Sequence, residues 1–231
     1  MARMLDLTRS WKYFAGFFLL ALIAFWPTYL SQVRASSGYT HLHAATAAMW
    51  MALLVAQSWA IAHRRVPLHR LLGKGSYILA PVLLASILLL GHDRIRGTEG
   101  EAYAIQTYIL YLQLSLAFLF GLSYGLAVWT RKSVARHSRF MVCTALTLID
   151  PVLVRVLIFV EPAPAWNYQW LTFGLTDLVL LVLIWLERHN RAGRGVFPVM
   201  LAIFVLTQLP PLLGLTDGPA WQGFARWFAG L

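Results

Sequence analysis

HLHAATAAMWMALLVAQSWAIAHRR, residues 41–65, decides the fold. Its apolar run between His43 and His63 is long enough, at about 1.5 Å of rise per helical residue, to cross a hydrocarbon core of roughly 30 Å. The run opens on H-x-H, closes on two arginines and carries one amide, Gln57, in its interior. This pattern reads as a membrane-spanning helix with polar ends.

Working outward, apolar runs recur at 13–30, 44–62, 75–91, 103–129, 140–160, 168–186 and 196–215. They predict an all-α polytopic bundle of seven transmembrane helices forming one domain, 1–231. Composition agrees, because the chain is 59% hydrophobic and 12% charged, about half the charge of a soluble domain. Val33-Arg34-Ala35 faintly resembles a signal-peptidase site, but the preceding apolar stretch exceeds a usual signal core and predicts an uncleaved span. The segment Gly218–Leu231, with Trp221, Trp227 and Phe228, is too short to span and reads as an interfacial tail.

The net charge of +10 would suit nucleic acid if it were spread over a soluble surface. Its distribution excludes that class. Arg3, Arg9 and Lys12 precede the first span. Arg64, Arg65, Arg70 and Lys74 follow the second, Arg131, Lys132, Arg136 and Arg139 the fourth, and Arg188, Arg191 and Arg194 the sixth. The opposite ends hold only Arg34, Arg94, Arg96 and Arg226. Because cytoplasmic loops retain Lys and Arg, the N-terminus is expected inside and the C-terminus outside. The expected location is a bacterial-type inner membrane, the basic ends meeting anionic lipid headgroups on the cytoplasmic side at about 1 kcal/mol each.

Polar residues inside the spans are the candidates for function. Asp150, Arg155 and Asp177 lie at mid-depth, where an ionised group costs about 2.5–3.5 kcal/mol on insertion scales. Positions five apart lie about 140° apart on a helix, so Arg155 is expected to pair with Asp177 rather than Asp150. Pro151 is expected to kink the helix beside Asp150. Gln57, Gln106 and Gln113 add amides that need partners. Alanines at 44, 48, 52, 56 and 60 read as a packing stripe.

The histidines sort by side. His41, His43 and His92 fall at outer ends, and His63, His69 and His137 at inner ends. Imidazole ligates haem iron and divalent metals. Thr40 is a candidate cap for the second helix, which would turn His43 rather than His41 inward, to meet His92 in a metal site with Asp93 or Tyr103 beside it. On the inner side Pro67–Leu72 reads as a short helix ending at Gly73, with Ser76 and Ser133 capping the helices that follow. His69, His137, Arg70 and Arg139 then form a candidate cofactor pocket for a phosphate, a haem propionate or a lipid headgroup. His43 and His63 stand about 30 Å apart on one helix, which excludes a compact two-haem relay and allows a single haem b or one divalent metal on one side.

The motifs H-R-x-L-G (His69, Arg70, Leu72, Gly73) and H-x-R-F-M (His137, Arg139, Phe140, Met141), with the outer H-x-H, Trp50 and Gln57, resemble a group of uncharacterised bacterial multi-span membrane proteins. The likeness covers about residues 25–156 and implies a shared seven-span architecture. The layout is also similar to haem membrane proteins of the cytochrome b type. No P-loop, H-E-x-x-H or G-x-S-x-G motif occurs, and Lys12, Lys74 and Lys132 all lie outside the spans, which excludes a retinal Schiff base. Two function classes stand beside cofactor handling: a small proton- or solute-coupled transporter using Asp150, Arg155 and Asp177, and an accessory membrane subunit without chemistry.

Overall fold

A computed structural model describes residues 10–160 and 167–231. Arg3 and Arg9 lie outside the described residues. Among the latter there are nine α-helices and no strand: α1 Ser10–Ala24, α2 Gly38–Ala62, α3 Val66–Ile95, α4 Gly100–Trp129, α5 Val134–Leu146, α6 Ile149–Val160, α7 Gln169–Leu186, α8 Val196–Leu212 and α9 Pro219–Ala229. Five segments are long and apolar enough to cross a membrane: α2, α3, α4, α5 with α6 as one stretch, and α7. Helices α1 and α8 are apolar but shorter, at 15 and 17 residues. In four of those five segments only 28% of the most apolar window is buried inside the bundle. The remaining apolar side chains, such as Ile78, Leu178 and Leu181, face outward, as lipid contact requires.

The first expected span, 13–30, divides. Helix α1 stops at Ala24 and the chain passes through turns into a 3-10 segment, Leu30–Ala35. Pro27 explains the stop, since it has no N–H and disfavours helical backbone in the residue before it. Helix α2 begins earlier than the Thr40 cap implies. Ser37 is its cap, the hydroxyl accepting from the Thr40 backbone N–H at 3.3 Å.

No separate Pro67–Leu72 helix exists. Pro67 sits in the first turn of α3, where its missing N–H costs nothing, and the helix runs through Gly73 without interruption. The Ser76 hydroxyl bonds back to the Gly73 carbonyl at 2.7 Å instead of capping. Ser133 does stand at the start of α5, but without a side-chain capping bond. The last span ends at Leu212, where Pro210 and Pro211 withdraw backbone donors and Gly214 adopts a left-handed conformation (φ 69°).

Packing follows chain order: α1 with α2, α2 with α3, α3 with α4, α4 with α5 and α7 with α8. One core joins α4, α5, α7 and α8 around Leu119, Cys143, Leu180, Phe197, Met200 and Phe204. Another joins α2, α3, α4 and α5 around Trp50, Leu54, Ala80, Leu83 and Phe120. The alanine stripe does not line one face, because a four-residue step drifts about 40° each time on a helix. Ala60 is fully buried while Ala52 is exposed, and the packed face of α2 is Thr46, Trp50 and Leu54. The tail forms the amphipathic helix α9, which lays Ala225, Trp221 and Phe228 against Ile95 of α3 and Leu110 of α4.

The expected kink near Pro151 is a full break. Helix α5 ends at Leu146 and α6 starts at Ile149. A proline removes the bond to the carbonyl four residues earlier and its ring crowds that carbonyl. For Pro151 that residue is Thr147, which sits in the break.

Candidate functional site

Two polar regions stand out. The first lies where α3 and α5 begin. His69 and His137 occupy their first turns, and their rings lie 6.3 Å apart centre to centre, with planes at 87°. His137 Nδ1 is 2.9 Å from the Ala127 carbonyl of α4. A carbonyl only accepts, so Nδ1 carries the hydrogen. His69 has the Gln57 backbone beside it, and its Nδ1 is buried without a hydrogen-bond partner.

Further buried polar atoms without partners cluster on the facing helices: Gln57 Oε1 and Trp50 Nε1 on α2, and Ser123 Oγ on α4. On α3, positions 69, 73 and 76 share one face. The Gln57 amide lies beside Gly73 there, where a Cβ would stand 3.5 Å from Gln57 Nε2, an ordinary contact distance. Ser76 shares a hydrogen bond of 2.9 Å with Tyr124 of α4. Buried polar atoms normally find partners, and His69 Nδ1 and the Gln57 Oε1 beside it do not.

Of the other two residues expected here, Arg70 is exposed at the helix end and its charge reaches His69. Arg139 is turned elsewhere. Its Nε donates to Glu187 at the end of α7 at 2.5 Å, both side chains being nearly buried. Its Nη1 donates to the Ala135 carbonyl. Gly193 (φ 75°) closes over this pair, where a Cβ would come within 3.0 Å of Arg139 Nη1. Arg139 therefore locks α5 to α7 and is not free for an anionic ligand.

The second region follows the α5–α6 break. Asp150 Oδ1 accepts from Thr172 Oγ1 at 2.5 Å and from Gln169 Nε2 at 3.1 Å, both on α7. Asp177 Oδ1 accepts from Gln208 Nε2 of α8 at 3.1 Å. The expected Arg155–Asp177 pair is not formed. The Arg155 guanidinium lies 5.4 Å over the Phe25 ring, just past the end of α1, and the acid whose field reaches it is Asp150. Asp150 and Arg155 share the continuous helix α6, so the helical angle between them stands; what differs is that α6 packs against α1 as well as α7. Gln113 packs against Gly91 of α3. Gln106 is half-buried.

The outer histidines have separate neighbours. His41 pairs with the Tyr29 hydroxyl at 2.9 Å. His43 turns to Ser86 of α3 at 3.2 Å. His92, six residues beyond Ser86, packs against Phe228 of α9, its Nε2 buried without a partner. Asp93 accepts from Ser37 at 2.9 Å. The structure thus gives His43 and His92 no shared contact. Among the described residues no three His, Cys, Asp or Glu side chains gather as a metal-ligand group.

No protein-family model, curated protein or solved structure matches the chain.

Sequence reasoning missed Gln208, Glu187, Thr172 and Tyr124. Gln208 carried a usable signal, an amide inside the last apolar run. Glu187 was hidden among the basic residues of its loop, and nothing local distinguishes Thr172 or Tyr124.

Proposed function

We propose that the chain is a membrane protein that holds a single haem b between His69 and His137 and passes one electron at a time near the cytoplasmic face. The observation that carries this reading is the spacing of the two rings. His69 and His137, brought together from α3 and α5 with ring centres 6.3 Å apart, are the residues that would hold the iron, imidazole being a usual haem ligand. The hydrogen bond from His137 Nδ1 to a backbone carbonyl is the support that metal-ligating histidines usually receive. Two protein nitrogens are too few for a stable bare divalent ion, whereas a porphyrin brings four of its own and needs only axial ligands. Arg70 is available for a propionate at the membrane surface. Bound haem would supply the one-electron couple. The Ala127 carbonyl orients the His137 ring, and the Gln57 backbone lies beside His69.

The purified protein, loaded with haem, is expected to show a Soret band that His69→Ala and His137→Ala each abolish and His41→Ala preserves. A featureless spectrum from the loaded parent protein, or a band indifferent to both inner histidines, rejects the reading.

This placement rests on a seven-span topology in which the short helices α1 and α8 also cross, with the N-terminus cytoplasmic, the C-terminus outside and the basic loops on anionic lipid of a bacterial-type inner membrane. The shorter two would cross by local thinning of the bilayer, at a modest cost. Reporter fusions after Arg64, Lys132 and Arg191 are expected to read cytoplasmic, and those after Gly97 and Leu231 external. One inverted loop refutes this arrangement.

A further inference from the structure

We infer that Asp150 is a proton-binding site that exchanges with a water in the cavity beside it, giving the bundle a proton-carrying function separate from any cofactor at His69 and His137. The cavity lies between α4, the α5–α6 break, α7 and α8, and has room for a water molecule. Asp150 forms part of its wall, along with Ser115, Thr176, Thr207 and Gln208. Only one oxygen of Asp150 is engaged by protein. Thr172 and Gln169 both donate to Oδ1, and Oδ2 has no hydrogen bond among the described residues. A carboxylate with a free oxygen, in the wall of a water-sized space at the point where a membrane helix is interrupted, is the kind of arrangement found where solutes and protons pass.

The chemistry favours a proton over a metal cation. The Thr172 hydroxyl and the Gln169 amide present hydrogens, not lone pairs, to Asp150. The Gln208 N–H is given to Asp177. A hard cation wants six or more oxygens, and the cavity is narrow and mostly apolar. The charged and titratable groups around Asp150 are Arg155 on its own helix, Tyr108 of α4, whose hydroxyl is held by Asn167, and Asp177 further along α7. Arg155 adds a positive charge that opposes a second cation. In the step itself, a hydronium in the cavity gives its proton to Oδ2, leaving the neutral acid and water, and the reverse releases it.

The full chain in lipid vesicles with a pH-reporting dye inside tests this. Under an imposed pH gradient the parent protein is expected to collapse the gradient faster than protein-free vesicles. Asp150→Asn should fall to the protein-free rate, and Asp150→Glu should recover part of the flux. Ser115→Leu, on the cavity wall and in contact with neither carboxylate, should also stop it. His69→Ala and His137→Ala should leave it unchanged, which keeps this outcome apart from that of the haem reading. If Asp150→Asn fails to elute as a folded species, Ser115→Leu decides. A parent protein no faster than empty vesicles, undiminished flux in a folded Asp150→Asn or, failing that, in Ser115→Leu, or flux that requires sodium would each overturn the assignment.

Discussion

Arg139→Ala unfolds about 3–5 kcal/mol more easily than the parent, the usual result of stripping one partner from a buried ion pair. The Arg139 and Glu187 side chains are only 7% and 5% exposed, so water cannot replace the lost guanidinium. Arg139 also donates from its side chain to the Ala135 carbonyl one turn back, a bond that is lost as well, although that carbonyl keeps its helical partner. The double variant Arg139→Met, Glu187→Leu should be better tolerated than Arg139→Ala, because it removes both charges and keeps the volume. Thermal unfolding in detergent, followed by size-exclusion of the heated samples, measures both. A double variant as fragile as the single one means that the pair matters for something besides electrostatics.

Trp50→Ala is the second large loss, about 3 kcal/mol or more. Trp50 is fully buried. Its ring meets Phe120 at 4.7 Å and Tyr124 at 5.4 Å, both edge-on, contacts worth about 0.5–1.5 kcal/mol each beyond burial. Within a bilayer the lost term is mainly dispersion rather than transfer from water, which holds the cost toward the lower end of the core-truncation range. Trp50→Phe should cost clearly less. The indole N–H has no protein partner, so no hydrogen bond disappears with it. Equal damage from the two substitutions, read by the same unfolding assay, points to a bond through that N–H with a bound group.

The helical, membrane-crossing character was legible because lipid demands long apolar runs, and α2, α3 and α4 follow them closely. The inner histidines were legible for a related reason. Both follow basic stretches at the starts of their helices, and α3 and α5 begin close enough together to bring the rings within 6.3 Å of each other. Side-chain direction was not legible. Arg139 lies two residues from His137 and points to Glu187 instead, because the end of α7 offers a buried carboxylate that no local pattern announces. Arg155 was assigned to Asp177 on helical angles, but α6 packs against α1 as well as α7, and the guanidinium turns to Phe25. Ser37 displaced Thr40 as a cap because the loop before α2 extends only to Ser36, a feature of the turn and not of hydropathy.

The break also bears on how the chain enters a membrane. Insertion machinery weighs segments by apolarity, and the most apolar 18-residue window within 134–160 has mean hydropathy 2.1. A window of that length is longer than α6 alone and so runs across the break. The two halves later commit to different company, α5 to α4 and α8, and α6 to α1 and α7. Assembly order thus has a natural seam: α6 gains both its neighbours only once α7 has followed it, so α1 is closed against the bundle by a half-helix made long after it.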